Sequence, residues 1–196
     1  MSSDDAATGD VAVPDHYSRA QRRIILAAFE QFAQHGVSAT SLQMIADVIG
    51  VTKAAVYHQF KSKDDIVLAV AETEMARLEA AITLADAQRD SVRAREVLLT
   101  RVIDVAVQRR RLYSVMQSDP YMARFLAEHE PFRRLMERLF AILAGEDLDS
   151  DMRVQAAMLY SAIGSAASHP LVVDLDDEAL RIHLTQFART LFQLPH

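Results

Sequence analysis

The feature that most constrains the fold is a helical spacing of apolar residues with few interruptions. Apolar residues recur at steps of three and four along most of the chain, and the period-two alternation typical of strands is missing. Only 5 Gly and 5 Pro punctuate the 196 residues, so the expected helix ends are easy to locate. The pattern predicts an all-α fold, and a chain of this length can bury roughly 70% of its unfolded surface.

Helix-starting and helix-ending residues divide the first part of the chain into three helices. We expect Ser18 to cap the first helix and Gly36 to end it. A second helix begins with Thr40 as its N-cap, and Gly50 ends it. Thr52 then caps a third helix of about two turns. Two short helices joined by a tight turn, with another helix behind them, indicate a helix-turn-helix unit.

The third helix has the composition of a recognition helix. Residues 52–55 are small or basic, so a backbone there can approach the major groove closely. Tyr57 and His58 offer polar groups to phosphate, and Lys61 and Lys63 stand at the start of the next helix, where an anion is favoured. The alternative is that Tyr57 packs in the core and the lysines are only solvated.

Charge is distributed unevenly along the chain, whose net charge is −6. Residues 14–63 carry six Lys or Arg against three acids, whereas residues 1–13 carry three acids and no base. A basic N-terminal unit is typical of a protein that binds nucleic acid, although ordinary variation along a surface produces the same imbalance.

Residues 22–65, "RRIILAAFEQFAQHGVSATSLQMIADVIGVTKAAVYHQFKSKDD", resemble the N-terminal DNA-binding domain of the tetracycline-repressor (TetR) family. The shared features are a Gly closing helix one, paired hydroxyls, Ile-Ala in helix two, Gly-Val at the turn, and then Tyr, Phe and Lys. The resemblance implies a double-stranded operator DNA as partner. It assigns phosphate contacts to Thr40 and Ser41, base contacts to Gln43, Thr52, Lys53 and Ala54, and further backbone contacts to Tyr57, His58, Lys61 and Lys63.

Three regions follow from this division: a disordered acidic tail (1–13), a helix-turn-helix DNA-binding domain (14–63) and a ligand-binding and dimerisation domain (64–196). The periodicity predicts later helices over residues 63–84, 91–110, 121–128, 131–143, 150–168 and 177–194. The helix that begins at Lys63 belongs to both domains, since Val70, Met75 and Leu78 lie further along it. We therefore expect it to transmit motion between them.

The middle helices are the expected site of a ligand. The resemblance implies that they enclose a pocket for a small hydrophobic or amphipathic molecule. The alternative is that the apolar residues of these helices, which recur at helical spacing, form a plain core. The run Arg109, Arg110 and Arg111 suits either an anion or a solvated face. The candidate pocket residues are Leu78, Val102, Tyr113, Met116, Met122, Phe125, Phe132, Met136 and Phe140.

The helix over residues 150–168 is apolar nearly all round, so it needs packing partners on both sides. The resemblance implies that it forms an intersubunit four-helix bundle with the last helix, which makes the protein a homodimer; the alternative is a monomer core. The candidate interface residues are Ala156, Ala157, Leu180, Leu184, Phe187 and Leu191.

No pattern of a catalytic, cofactor or metal site is present. The chain has no Cys, no Gly-rich phosphate loop and no apolar run of about 18 residues, and the N-terminus carries acids where a signal peptide carries bases. We expect a cytoplasmic, ligand-responsive transcriptional repressor that is not an enzyme. The alternative is a helix-turn-helix architectural or assembly factor without small-molecule control.

Overall fold

The computed structural model describes residues 13–110, 112–114, 119–144, 150–167 and 169–191, in which all regular secondary structure is helical. The all-α prediction is therefore confirmed, with helix ends within a residue or two of those expected in the described ranges. None of the described helices is long and apolar enough to cross a membrane. A 3-10 turn, Pro170–Val172, precedes the last helix. In chain order the α-helices are α1 (Arg19–His35), α2 (Leu42–Val48), α3 (Lys53–Gln59), α4 (Lys63–Asp86), α5 (Ser91–Gln108), α6 (Pro120–Glu128), α7 (Glu130–Ala144), α8 (Ser150–Ala167) and α9 (Asp177–Leu191).

Side-chain caps begin the first helices largely as predicted. Ser18 Oγ accepts from the N–H of Gln21 at 3.2 Å, and the side-chain oxygen of Gln21 accepts from the N–H of Ser18 at 3.0 Å. Thr52 Oγ1 accepts from the N–H three residues further on at 3.2 Å. Gly36 (φ 86°) and Gly50 (φ 68°) follow α1 and α2 with backbone conformations that residues with a Cβ rarely adopt. These predicted helix ends are confirmed.

Helix α2 begins one residue later than predicted, because its N-cap is Ser41. Ser41 Oγ accepts from the N–H of Met44 at 3.2 Å. Thr40 is only 2% exposed, and its hydroxyl donates to the carbonyl oxygen of Gly36 at 2.7 Å. Thr40 thus closes the loop after α1, and the predicted cap at Thr40 is wrong.

Buried side chains form two clusters that meet along α4. The first joins α1, α2 and α3, together called the head, to Ile66 and Val70 of α4 and to Met122 of α6. The second runs from Met75 along α4 and includes side chains of α5, α7, α8 and α9; we call α5 to α9 the body. Helix α4 is therefore shared, as predicted. Its first turns pack with the head, so a domain boundary at residue 63 stays a prediction.

The segment before α1 packs against the rest of the head. Val13 is buried in the first cluster, and the hydroxyl of Tyr17 donates to Glu72 Oε2 of α4 at 2.5 Å. The predicted disordered tail is therefore wrong for Val13. Residues 1–12 lie outside the described residues.

Candidate nucleic-acid interface and ligand cavities

Helix α3 has one buried and one exposed face. Val56 is fully buried in the first cluster, and Phe60, directly after the helix, is also buried there. These two anchors turn the other side of the helix, and its N-terminus, toward solvent. The small side chains at that end leave room for a backbone to approach a groove. The exposed residues are Thr52, Lys53, Ala54, Ala55, Tyr57 and His58.

Tyr57 lies on this exposed face, with 44% of its surface accessible. Packing in the core, the alternative for Tyr57, is therefore wrong. Lys53 Nζ lies 5.7 Å from the centroid of the Tyr57 ring, within the range of a cation–π contact. The ammonium group and the phenol are thus side by side on the surface predicted to meet DNA.

Helix α2 contributes Ser41 and Gln43, both exposed. Ser41 Oγ accepts the cap hydrogen bond, so its own hydroxyl hydrogen stays available to an acceptor such as phosphate. Gln43 Nε2 donates to Asp47 Oδ1 at 2.7 Å, which leaves the second N–H and the amide oxygen of Gln43 for a base edge. The base contact from α2 therefore stays a prediction.

Lys63 does not lie among these surface groups. Its Nζ donates to the carbonyl oxygens of Val37 at 2.6 Å, Ser38 at 3.3 Å and Thr40 at 3.0 Å. An ammonium group has three donors, and here all three serve the loop after α1. The Thr40 side chain is buried and the Lys63 amine is engaged, so a phosphate contact by either residue would require a change of partners and stays a prediction. Lys61 is exposed, and its contact with phosphate stays a prediction.

Arg23 is a cation beside this surface that the motif did not assign. It is exposed on α1, and its Nη2 donates to the carbonyl oxygen of Ile49 at 3.1 Å, at the turn between α2 and α3. The basic charge of residues 14–63 was visible in the sequence. Its placement at the turn depends on how α1 packs on α2, which spacing alone does not give.

Asp119, which precedes α6, connects the body to the loop after α1 by hydrogen bonds. Its carboxylate accepts from the N–H and the hydroxyl of Ser38, both at 2.8 Å, and caps α6 through the N–H of Tyr121 at 3.0 Å. Burial opposes the charged form, but these hydrogen bonds hold the pKa of Asp119 below its ordinary value. The Tyr121 hydroxyl donates to Asp64 at 2.6 Å, and burial together with this bond raises the pKa of Tyr121 to about 12. A second connection thus runs from α6 to the head beside that of α4.

The predicted ligand pocket is only partly assembled in the described residues. Leu78, Val102 and Tyr113 line a common cavity of about 30 Å³. That volume has room for about one water molecule. Met116, also assigned to the pocket, lies outside the described residues.

The other predicted pocket residues are distributed over the two clusters. Met122 is buried in the head cluster, and Phe125 packs against it. Phe132 and Phe140 pack against the body cluster, and Met136 is buried. In this structure the alternative of a plain core describes these five side chains, and their assignment to one pocket stays a prediction.

A larger cleft of about 360 Å³ lies between α1 of the head and the ends of two body helices. It was not expected from the sequence, because its walls come from segments far apart in the chain. Its lining combines apolar side chains with charged and amide groups. The lining residues are Phe29, Glu30, Ala33, Gln34, Val107, Gln108, Arg109, Arg110, Leu112 and Asp177.

Arg109 connects this cleft to a buried charge cluster. The guanidinium nitrogens Nε of Arg109 and Arg77 lie 3.8 Å and 3.7 Å from the Glu74 carboxylate, which is buried on α4. Burial raises the pKa of Glu74 and lowers that of Arg109, and the attraction between the two opposes both shifts. The side chain of Arg109 is 10% exposed, so a solvated face is wrong for this residue, while Arg111 lies outside the described residues.

The predicted dimer residues divide into inward and outward groups. Leu180 and Leu184 are buried in the body cluster of their own chain, and Leu191 packs against it. A role of these three residues in an interface stays a prediction, with Leu180 and Leu184 already covered within their own chain. Ala157 is exposed, and Phe187 is 50% exposed, so these two stay candidates. The side chain of Ala156 lies outside the described residues.

Other large apolar side chains, which were not among the predicted interface residues, are exposed on the same two helices. On α8 these are Val154 and Met158, the latter 64% exposed, and on α9 Ile182. The sequence held a signal for them, because α8 is apolar on more sides than one cluster can cover. We use the name outer face for the exposed apolar residues of these two helices: Val154, Ala157 and Met158 on α8, and Ile182 and Phe187 on α9.

No group of three His, Asp or Glu side chains able to hold a metal ion occurs within the described ranges.

A family model described as "Bacterial regulatory proteins, tetR family" matches residues 24–70, from α1 into the first turns of α4. The HTH-type transcriptional regulator TcmR of Streptomyces glaucescens is 26% identical over 178 residues, which cover 84% of this chain and 79% of that protein. The HTH-type transcriptional regulator AcrR of Shigella flexneri is 39% identical over 62 residues, or 30% of this chain and 29% of that protein.

A solved structure extends the likeness beyond the head. A bacterial regulatory protein in the tetR family from Rhodococcus RHA1 superposes with a TM-score of 0.69, covering 92% of this chain and 100% of that chain at 22% identity. At such identity the likeness is one of fold, and it includes the body helices.

Proposed function

We propose that this chain, which belongs to the TetR family of DNA-binding transcriptional regulators, is a repressor that a small molecule releases from its operator. The protein acts as a homodimer on a double-stranded, pseudo-palindromic site. It works in the cytoplasm, where that DNA is, and its role involves no chemical reaction.

The observation that carries the proposal is the exposed face of α3. Val56 holds the helix against the head, while Lys53, Ala54 and Tyr57 stay free of the core. If the exposed face of α3 only packed against another part of the protein, we would expect an apolar residue in place of Tyr57. Ser41 at the start of α2 adds a hydroxyl donor beside it.

The outer face supports the homodimer. Met158 and Phe187 expose large apolar surfaces that a second copy of the chain would bury. A two-fold dimer presents two copies of α3, so we expect half-sites about 34–36 Å apart, or a multiple of that distance.

The test is binding of the purified protein to a duplex from its own promoter region, compared with a shuffled duplex. We expect a preference for the promoter, and Lys53→Ala should reduce it by about 1–3 kcal/mol. Arg134→Ala removes an exposed cation of α7 and serves as the matched control, with no effect on preference. Equal affinity of the unchanged protein for both duplexes would show that the proposal is wrong.

Release by a ligand has its own test. A screen of metabolites by thermal shift, followed by DNA release with each compound that stabilises the protein, identifies the effector class. If promoter DNA is bound and no stabilising compound changes that binding, the architectural or assembly factor is the better description.

A further inference from the structure

Two side chains of α1 hold helix α3 at its two ends. Arg23 Nη2 donates to the carbonyl oxygen of Ile49 at 3.1 Å, three residues before the N-cap of α3. Gln21 Nε2 donates to the carbonyl oxygen of Gln59, the last residue of α3, at 3.4 Å. We propose that Gln21 and Arg23 are positioning residues for DNA recognition, which fix the direction of α3 without touching DNA themselves. The inference rests on the proposed function, because it requires that α3 distinguishes one DNA sequence from another.

Both carbonyl oxygens need a donor from outside their own helix. Ile49 is the C-cap of α2, and Gln59 ends α3. The last carbonyls of a helix have no N–H partner within that helix. Donors for both come from the first two turns of α1, so the two bonds join one helix to both ends of another.

Helix α3 depends on its surroundings for a fixed direction. It has 7 residues, and a helix of about two turns is not stable alone. Its one buried residue is Val56, with Phe60 buried directly after the helix. Apolar packing has no preferred direction, whereas a hydrogen bond weakens steeply as its angle changes. Val56 therefore holds α3 against the head, and the bonds at its two ends restrict how it turns about that point.

The amide of Gln21 is engaged through both its oxygen and its nitrogen. Oε1 accepts from the N–H of Ser18 at 3.0 Å in the cap of α1, while Nε2 donates to α3. Gln21→Glu would keep the cap bond, because a carboxylate also accepts, but it has no donor for Gln59. This substitution therefore removes the contact with α3 and leaves the cap of α1 in place.

The bond from Arg23 lies near the end of α3 that is predicted to read bases. Lys53 and Ala54, with predicted base contacts, lie in the first turn of that helix. Readout of a base edge requires donors and acceptors to meet in the narrow geometry of a hydrogen bond, whereas phosphate contacts carry no sequence information. Loss of either bond to α3 should therefore reduce the preference for one sequence more than the affinity for DNA in general.

The experiment measures the affinity of the full chain for its promoter duplex and for a shuffled duplex over a salt series. The ratio of the two affinities is the preference. Arg23→Met and Gln21→Glu each remove the donor at one end of α3, and each should reduce the preference about 3- to 10-fold, the net effect of one hydrogen bond. Arg23→Met should leave the slope of log affinity against log salt unchanged, because no phosphate contact is lost.

Two further variants of α1 and its cap are matched controls. Arg19→Met removes an exposed cation one turn before Arg23 and should keep the preference, which separates loss of charge from loss of the bond. Ser18→Ala removes the hydroxyl that caps α1 and lowers stability, but it leaves both bonds to α3 in place. It should keep the preference as well. Urea denaturation of each variant shows how far its stability has changed.

The outcomes separate positioning from the other roles of these side chains. If Arg23→Met weakens binding to both duplexes alike and lowers the salt slope by about one unit, Arg23 contacts phosphate and the inference is wrong. If Arg23→Met does not fold, Gln21→Glu decides, since it keeps the cap of α1. A preference that stays intact in the folded variants, whatever their stability, overturns this inference and leaves the proposed function standing. An unchanged protein without any preference overturns both.

Discussion

Lys61 and Lys63 lie two residues apart and have different environments. Lys61 is exposed beside the end of α3, whereas the Lys63 amine donates to three carbonyl oxygens of the loop after α1. Sequence reasoning treated them alike because both precede or begin α4. The distinction depends on the loop at Val37 coming back to the start of α4, a tertiary contact that no local pattern encodes.

Substitution of these two lysines by alanine should therefore have separate effects. Lys63→Ala should lower the free energy of unfolding by about 1–3 kcal/mol, since three carbonyls lose a charged donor. Lys61→Ala should leave unfolding unchanged and reduce the slope of log affinity against log salt by about one unit, because one phosphate contact is lost. Urea denaturation and DNA titrations over a salt series measure both. A normal salt slope for Lys61→Ala would remove Lys61 from the interface.

Asp119 should make stability depend on pH. Its pKa is lowered in the folded protein, so the stability that it contributes is present above its ordinary pKa of about 3.9 and is lost as the pH falls through the lowered value. Asp119→Asn keeps the shape but removes the charge, and should cost about 1–2 kcal/mol at neutral pH.

Urea denaturation of the unchanged protein and of the Asp119→Asn variant, between neutral pH and acid, measures this contribution. The difference in unfolding free energy between the two proteins should shrink below about pH 4, when the carboxylate becomes protonated. A difference that stays constant into acid would show that the hydrogen bonds to Ser38 do not depend on the charge.

The helices of the head show what the sequence could predict at the scale of an element. The starts of α1 and α3 follow from one hydroxyl each, Ser18 and Thr52, and were predicted to the residue. At α2 two hydroxyls stand side by side, and both fit the local pattern. Burial of Thr40 against Gly36 decides between them, so the cap falls to Ser41.

Ser41 should have two roles that a pair of substitutions separates. Ser41→Ala removes the cap and should cost about 1 kcal/mol of stability. Ser41→Asp restores the cap, because a carboxylate also accepts from the N–H of Met44, but it places a negative charge where we expect a phosphate. DNA binding should thus be weaker for Ser41→Asp than for Ser41→Ala, while stability follows the reverse order. If Ser41→Asp binds DNA as tightly as the unchanged protein, Ser41 does not face phosphate.

At the scale of the whole molecule, the predicted interface residues of α9 divide between the core of the chain and its surface. Leu180 and Leu184 serve the core of their own chain, as a stripe at helical spacing usually does. Phe187, which was predicted with them, is half exposed, and so is Ile182, which was not predicted. The sequence does not show which side of α8 and α9 meets the body, because that depends on how several helices pack together.

The outer face should hold the homodimer, and substitutions there should separate association from folding. Met158→Arg and Phe187→Arg place a charge at positions that are 64% and 50% exposed in the single chain, so each chain should fold with little loss of stability. In a dimer the same charge would be buried without a partner and should weaken association by about 2 kcal/mol or more. Leu184→Ala is the opposite case, since it should destabilise the fold by about 2–5 kcal/mol through a cavity in the body cluster.

Sedimentation velocity at micromolar concentration should show a dimer of the 21.9 kDa chain and a monomer for both arginine variants. The monomeric variants should also lose most of their affinity for promoter DNA, because one α3 helix then reads one half-site alone. If both variants remain dimers, the dimer interface lies elsewhere than the outer face. If the unchanged protein is a monomer, the proposed binding of a dimer to a two-fold DNA site is wrong.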